Sequence, residues 1–255
     1  MLPDSEDEEP PAGPDTTEPK ARRPFLGRVV ALLEVIICSD YPTQFAIAGT
    51  FAAFGWRPLT AAGDLSVAYV VTLSLADTAL LLGLVLVFLR AHGESPREVF
   101  LGRRPARGEA ILGLPLIVVA LGIGLGILTL IQLYLPALHT VPQNPLEEMI
   151  RRPRDAALFS VVVVVAGGVR EELERAFLLH RFEDWLGGGA VGVVVTSVAF
   201  GGGHFIQGVD AAITTGALGA FWGIVYLRRR SSVAPMVSHS GFNLMQIVQF
   251  LVIGR

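Results

Sequence analysis

The feature that most constrains this chain is a series of long apolar runs, such as residues 65–89 and 110–138. A helix of 18 or more apolar residues crosses the ~30 Å hydrocarbon core of a bilayer. Backbone polar groups must be paired in lipid, so spans are either helices or strands of a closed barrel. These runs are much longer than the ~10-residue alternating segments of a membrane barrel. The sequence therefore predicts an all-α, polytopic transmembrane helical bundle.

Composition supports this fold class. Hydrophobic residues make up 52% of the 255 residues and charged residues 17%, with a mean hydropathy of +0.56, whereas a soluble domain carries about a quarter charged residues. The arginine clusters lie beside apolar runs, where membrane topology explains them, so no nucleic-acid partner is expected. The one cysteine, Cys38, excludes an internal disulfide.

Seven spans are predicted. The first contains a break near Pro42, because proline interrupts helical hydrogen bonding. The approximate ranges are 25–55, 65–89, 110–138, 156–185, 191–204, 211–227 and 232–253. The acidic, proline-rich tail, residues 1–23, cannot bury a core and is expected to be disordered. Residues 24–150 are expected to hold the N-terminal membrane helices and loops, and residues 151–255 a second helical region.

The distribution of arginines predicts the orientation. The loop Arg90–Arg107 and the run Arg228–Arg230 are assigned to the cytoplasm, because cytoplasmic loops are enriched in Lys and Arg. Both agree with seven spans and a cytoplasmic N-terminus, but a third cluster, Arg151 to Arg154, falls on the opposite side. A count of six or eight spans therefore stays open. The expected location is the cytoplasmic membrane of a bacterium, in contact with membrane lipid.

An unusual group of charges interrupts the fourth span, where five of the six residues from Arg170 to Arg175 are ionisable. Each charge costs about 2.5–3.5 kcal/mol at the bilayer centre, so such groups usually face a wet or protein-lined interior. Helical i,i+4 spacing predicts the pairs Arg170–Glu174 and Glu171–Arg175. Glu172 would then be the unpaired carboxylate, the form that a general base needs. The alternative is that the group marks a solvated helix end.

Two later helices carry further polar residues. His204 follows three glycines, which let another chain approach closely, although a single histidine in an apolar helix is more often a packing residue. His239 and Asn243 are i,i+4 and share a helix face. An imidazole and a carboxamide together can donate two hydrogen bonds to an oxyanion, or they can clamp two membrane helices. We expect the three helices to bring these groups around one water-filled cavity.

These residues resemble the CAAX-protease and bacteriocin-processing (CPBP) membrane family, which includes the type II CAAX prenyl endopeptidases. The family pattern is Glu-Glu-x-x-x-Arg, Phe-x-x-x-His and His-x-x-x-Asn. Phe200 to His204 and His239 to Asn243 match the second and third motifs. The first is one residue short, Glu171-Glu172-x-x-Arg175, so its two glutamates align in two ways. The resemblance covers about residues 156–250.

The resemblance implies an intramembrane endopeptidase acting on a peptide or lipidated-protein substrate. Glu171 or Glu172, with His204, would activate a water; His239 and Asn243 would stabilise the oxyanion; Arg175, with Arg170 and Glu174, would support the site. The family is described as metal-dependent and as glutamate-dependent, and zinc would use His204, His239 and Glu171 or Glu172. A metal-independent reaction is favoured, since His239 is needed for the oxyanion.

Two other readings stay open. A catalytically degenerate member would act as a membrane scaffold, immunity factor or binding protein, and the shortened first motif favours it. A proton-coupled transporter could use the same buried ionisable groups. The sequence has no inverted repeat that would support a transporter, and no residue indicates an oligomeric state.

Overall fold

The structure, a computed structural model, describes residues 24–142, 144, 146 and 149–253. Over these residues the chain forms ten α-helices and no strand. Their bounds are α1 Phe25–Ile37, α2 Tyr41–Ala53, α3 Val67–Ala91, α4 Pro96–Phe100, α5 Ala106–Tyr134, α6 Pro153–Val162, α7 Glu171–Trp185, α8 Gly189–Gly202, α9 Val209–Arg229 and α10 Val233–Ile253. The all-α prediction is confirmed. The predicted disordered tail, residues 1–23, lies outside the described residues.

The helix boundaries agree with the predicted spans to within a few residues, including the break in the first one. That break separates α1 from α2, and Pro42 lies in the first turn of α2, where its missing N–H removes no helical hydrogen bond. The predicted fourth span is one continuous helical segment, because a π-helical stretch, Val163–Arg170, joins α6 to α7. The short helix α4 was not predicted.

Three of the helices, α3, α5 and α9, are long and apolar enough to cross a membrane. Large apolar side chains point outward from the bundle: Val118, Leu133 and Val198 expose 70%, 68% and 72% of their surface. Such an apolar exterior requires lipid rather than water, so this is an integral membrane protein. The count of seven spans stays a prediction.

Close helix contacts place the C-terminal half of the chain. Helix α10 packs along α5 and along the π-helical segment, and α8 packs along α9. Glycines permit both approaches: a Cβ added at Gly168 would lie 1.9 Å from the Ser240 hydroxyl oxygen, and one added at Gly201 would lie 2.5 Å from the Ala212 carbonyl oxygen. No larger residue fits at either contact, so these glycines set how close the helices come.

Buried and exposed ion pairs connect the helices to their loops. The side chain of Arg181 on α7 is 1% exposed and pairs with Glu34 of α1 and with both carboxylate oxygens of Glu94. The arginines from Arg151 to Arg154, which disagree with the predicted membrane orientation, also have partners close in space. Arg151 pairs with Asp64 at 3.0 Å and Arg152 with Asp155 at 3.2 Å, which offsets part of its positive charge.

Candidate active site

A cavity of about 830 Å³ lies among the helices of the C-terminal half and α1–α3. Its volume is within the ~300–1,000 Å³ range of ligand-binding sites. Seven of the eight predicted catalytic and supporting groups line it: Arg170, Glu171, Glu174, Arg175, His204, His239 and Asn243. Apolar side chains form much of the rest of the wall, including Val162, Leu218 and Phe242. The structure therefore brings these side chains to one cavity.

The two neighbouring glutamates face different surroundings. Glu171 lines the cavity, and its side chain is 16% exposed. Glu172 is 1% exposed and is buried against Arg175 and His239. Both lie directly after the π-helical segment, whose wider turns commonly occur at functional sites. Glu171 is thus the carboxylate of the two that a water in the cavity can reach.

Helix spacing predicted that Arg175 pairs with Glu171 and that Glu172 is unpaired, and this prediction is wrong. Arg175 forms its ion pair with Glu172 at i,i+3 rather than with Glu171 at i,i+4. The predicted pair Arg170–Glu174 is present only at the 4.0 Å limit. Tertiary partners explain the difference, because His239 and Arg175 together hold Glu172, while other acidic groups hold Arg170.

Arg170 is the centre of a buried ionic cluster beside the cavity. One guanidinium nitrogen, Nη1, contacts Asp40 and lies 2.7 Å from Oδ2 of Asp77. The other, Nη2, donates to Glu171 at 3.2 Å. Arg170 therefore ties α2 and α3 to the start of α7 and fixes one oxygen of Glu171. Asp77 is paired inside the bundle, since its side chain is 1% exposed.

His239 is held on two sides. Its Nδ1 lies 2.8 Å from Oε1 of Glu172, and because a carboxylate accepts, Nδ1–H is the donor. Its ring stacks on Trp222 with centroids 3.7 Å apart, and the Trp222 indole donates to Ser238 at 3.1 Å. These contacts direct Nε2 towards Glu171, whose Oε2 is 3.8 Å away.

His204 lies just beyond the end of α8 at Gly202. The predicted helix 191–204 therefore ends two residues earlier than expected. Its Nδ1 donates to the carbonyl of Phe200 at 2.9 Å, which turns the ring back along the helix. The Phe200 ring makes edge contacts with both histidines, with its centroid 5.0 Å from that of His204 and 6.1 Å from that of His239. A side-chain hydrogen bond, and not a longer helix, therefore brings His204 to the cavity.

Asn243 and Arg175 complete the wall. The amide nitrogen of Asn243 donates to the Val163 carbonyl at 3.3 Å, which leaves its second N–H free to donate. A Cβ at Gly167 would lie 2.7 Å from that nitrogen, so the glycine makes room for the amide. The Arg175 guanidinium lies 4.7 Å from the centroid of the Phe200 ring, a cation–π distance.

The residues predicted to bind zinc do not form a compact donor set. Among the described residues, the group of three potential ligands within 4.8 Å of one another is Glu94, His180 and Asp184. Neither His204 nor His239 belongs to it. A tetrahedral zinc site needs each ligand atom ~2.0–2.3 Å from the metal. Nε2 of His239 and Oε2 of Glu171 are 3.8 Å apart, but His204 does not join them in a group of three within 4.8 Å.

Sequence reasoning missed two contributors to this site. Asp40 lies in the helix break before Pro42, and its side chain contacts Arg170. Trp222 was not singled out, although it stacks on His239. A buried indole N–H needs a hydrogen-bond partner. That requirement is the sequence feature that could have indicated a polar environment around Trp222. No local pattern indicates that Asp40 and Arg170, 130 residues apart, would meet.

Comparison with known proteins identifies the C-terminal region. Residues 153–245 match the family model described as type II CAAX prenyl endopeptidase Rce1-like. The chain carries an Rce1-like domain. The predicted resemblance of this region to the CAAX-protease family is thereby confirmed, and proteins of this family are in general proteases. No match was found among curated proteins or among solved structures. The Rce1-like domain begins with α6, ends within α10 and contains all three motifs.

Proposed function

We propose that this protein is an intramembrane endopeptidase that hydrolyses a peptide bond in the cavity by a glutamate-activated water. The observation that carries the proposal is the convergence of Glu171, His204, His239 and Asn243, all from the Rce1-like domain, on one cavity. Nucleophile activation and oxyanion stabilisation need such groups around one reacting atom.

Glu171 is the general base in this proposal. It accepts one proton from a water as the water oxygen attacks the scissile carbonyl carbon. His204 orients that water through Nε2, since Nδ1 is committed to the Phe200 carbonyl. Arg170 fixes the far oxygen of Glu171. When the tetrahedral intermediate collapses, the C–N bond breaks and Glu171 gives its proton to the departing amine nitrogen.

His239 and Asn243 stabilise the oxyanion. The free N–H of Asn243 donates to it, and so does Nε2–H of His239, which in this role carries protons on both ring nitrogens. Glu172 and the stacked Trp222 hold the imidazole in place. Donors fixed before the reaction need no reorganisation during it, and each contributes about 10²–10³ in kcat. Glu172 is therefore a positioning residue.

The substrate class is a peptide or a lipidated protein reached from the membrane, and the location is the cytoplasmic membrane of a bacterium. The wall of the cavity supports an amphipathic substrate, because apolar side chains of α3 and α10 border the polar groups. The reaction is metal-independent, since the cavity's histidines and carboxylates do not form a compact donor set.

A proteolysis assay tests the proposal. The full chain is reconstituted in liposomes with a panel of peptides, prenylated and unmodified at a C-terminal cysteine motif, and products are identified by mass spectrometry. We expect cleavage by the wild type and none by Glu171→Gln. Glu183→Gln is the matched control, because Glu183 lies on the same helix but pairs with Arg230.

Two results would overturn this function. Cleavage by Glu171→Gln at the wild-type rate would remove the proposed base. The second result has two parts: no peptide is cleaved, and both Glu171→Gln and Glu172→Gln keep the cellular phenotype of the wild type. It would favour a catalytically degenerate family member that acts by binding.

A further inference from the structure

A second, smaller pocket lies away from the cavity, at the end of the bundle where α9 ends and α5 begins. Its volume is about 380 Å³, and it is lined by Glu98, Gly102 and five arginines: Arg103, Arg104, Arg228, Arg229 and Arg230. These arginines come from two runs more than 120 residues apart in the chain. Their charge predicts a membrane face, but it does not by itself predict that the two runs meet.

Backbone contacts build this pocket. The Arg104 Nε donates to the Arg229 carbonyl at 3.2 Å, and the Ser232 N–H donates to the Phe100 carbonyl at 2.8 Å. Gly102 has a φ of +61°, and a Cβ there would lie 2.0 Å from the Arg230 carbonyl oxygen. Only glycine fits both the backbone conformation and the contact. The two arginine runs are therefore held together by the fold.

Charge compensation in the pocket is incomplete. Arg229 pairs with Glu109 at 2.6 Å, and Arg230 pairs with Glu183. The remaining three arginines, Arg103, Arg104 and Arg228, have no carboxylate partner among the described ion pairs. Glu98 is the single acidic side chain in the lining. Three guanidinium groups against one carboxylate leave an excess of positive charge, and guanidinium groups bind phosphate oxygens bidentately.

The surroundings favour a lipid over a free anion. The pocket lies at the ends of α5 and α9, both long and apolar enough to span the membrane. Apolar side chains one to two helical turns from the pocket are exposed on the surface of the bundle. Ile111 and Leu114 on α5 expose 58% and 56% of their surface, and Ile224 on α9 exposes 41%. Acyl chains can lie on these side chains while the phosphate lies among the arginines. Basic pockets at membrane surfaces bind lipid head groups in this way.

We propose that this pocket is a binding site for the phosphate of an anionic phospholipid, on the face that the arginine distribution assigns to the cytoplasm. The site is independent of the proposed peptidase reaction, because its residues are absent from the lining of the catalytic cavity.

Lipid titration of the purified full chain in neutral detergent tests the site. Phosphatidylglycerol and phosphatidylcholine are compared, and bound lipid is counted by native mass spectrometry. We expect the wild type to prefer phosphatidylglycerol, and Arg103→Gln/Arg228→Gln to lose that preference, with an affinity loss on the order of tenfold per arginine. The control Arg97→Gln/Arg107→Gln removes two exposed arginines from the same region, outside the pocket, and should keep the preference.

Each contrary outcome has a distinct meaning. An equal loss in the control pair would show that general surface charge attracts the lipid, and would overturn the site. Displacement of phosphatidylglycerol by millimolar inorganic phosphate would show a free-anion site and overturn the lipid assignment. Equal melting temperatures of the two double variants in phosphatidylcholine show that both are folded. If Arg103→Gln/Arg228→Gln does not fold, Arg103→Lys/Arg228→Lys is titrated instead. A wild-type preference for phosphatidylglycerol in the lysine variant would contradict bidentate binding by these arginines.

Discussion

Glu172 accepts a hydrogen bond from Nδ1 of His239 over 2.8 Å, although 67 residues separate them in the chain. This contact joins α7 to α10 and directs the opposite edge of the imidazole to the cavity. A carboxylate that orients a histidine is a recurring arrangement in catalytic sites, where it fixes the tautomer and the ring position. Burial against Arg175 makes Glu172 unsuited to meet a water, which leaves that role to Glu171.

The first prediction concerns the contact between the π-helical segment and α10. Gly168→Ala should destabilise the protein by about 1–3 kcal/mol, the usual cost of overpacking, and should lower kcat by moving His239 and Asn243. Thermal unfolding and peptide cleavage in detergent measure both effects. Gly126→Ala is the control, because a Cβ there meets nothing within 4 Å. Equal behaviour of the two variants would contradict the close packing.

A second prediction separates buried from exposed ion pairs. Arg181→Gln removes the guanidinium that pairs with Glu34 and Glu94 and should cost about 3–5 kcal/mol, as the breaking of a buried pair does. Arg152→Gln removes an arginine whose side chain is 74% exposed, and because solvent screens such a pair, its loss should destabilise the protein far less. The free energies of unfolding of the two variants are compared. Similar losses would show that the Arg181 cluster does not hold α1 and the α3–α4 loop to α7.

The third prediction concerns the oxyanion donors. Asn243→Ala should lower kcat by about 10²–10³ and leave KM nearly unchanged, because the lost hydrogen bond forms in the transition state. Asn243→Asp is the informative companion, since it keeps the size of the side chain but replaces the N–H donor by an acceptor. Steady-state kinetics on one cleaved peptide measures both. A large rise in KM with kcat unchanged would assign Asn243 to substrate binding instead.

A fourth prediction addresses metal dependence. Prolonged treatment with a strong zinc chelator should leave the cleavage rate unchanged, and elemental analysis of the active, purified protein should find no stoichiometric zinc. The reason is geometric: His204 and His239 do not join a carboxylate in a donor group within 4.8 Å. Loss of activity on chelation that returns with added zinc would contradict the proposed mechanism.

Much of the fold could be predicted because long apolar runs have few solutions in lipid. The break before Pro42 and the bounds of α3, α9 and α10 follow from local chemistry. The motifs also indicated which helices carry the polar residues of the Rce1-like domain. These features depend on sequence-local patterns, and such patterns were sufficient for them.

The arrangement within the site could not be predicted in the same way. Helix spacing predicted that Glu172 is the unpaired carboxylate, but His239 of α10 forms a hydrogen bond with it. Asp40 likewise competes for Arg170, which spacing had assigned to Glu174. Local geometry ranks only the partners within one helix, and tertiary packing decides among the others.

The most direct test of the central claim compares Glu171→Gln with Glu172→Gln in the reconstituted protein. We expect Glu171→Gln to lose about 10²–10⁴ in kcat, the contribution of a general base, with its melting temperature unchanged. Glu172→Gln should keep measurable turnover, because the glutamine carbonyl still accepts from His239, but should melt at a lower temperature through loss of the Arg175 ion pair. The reverse pattern, with Glu172→Gln inactive and stable and Glu171→Gln active, would contradict the account.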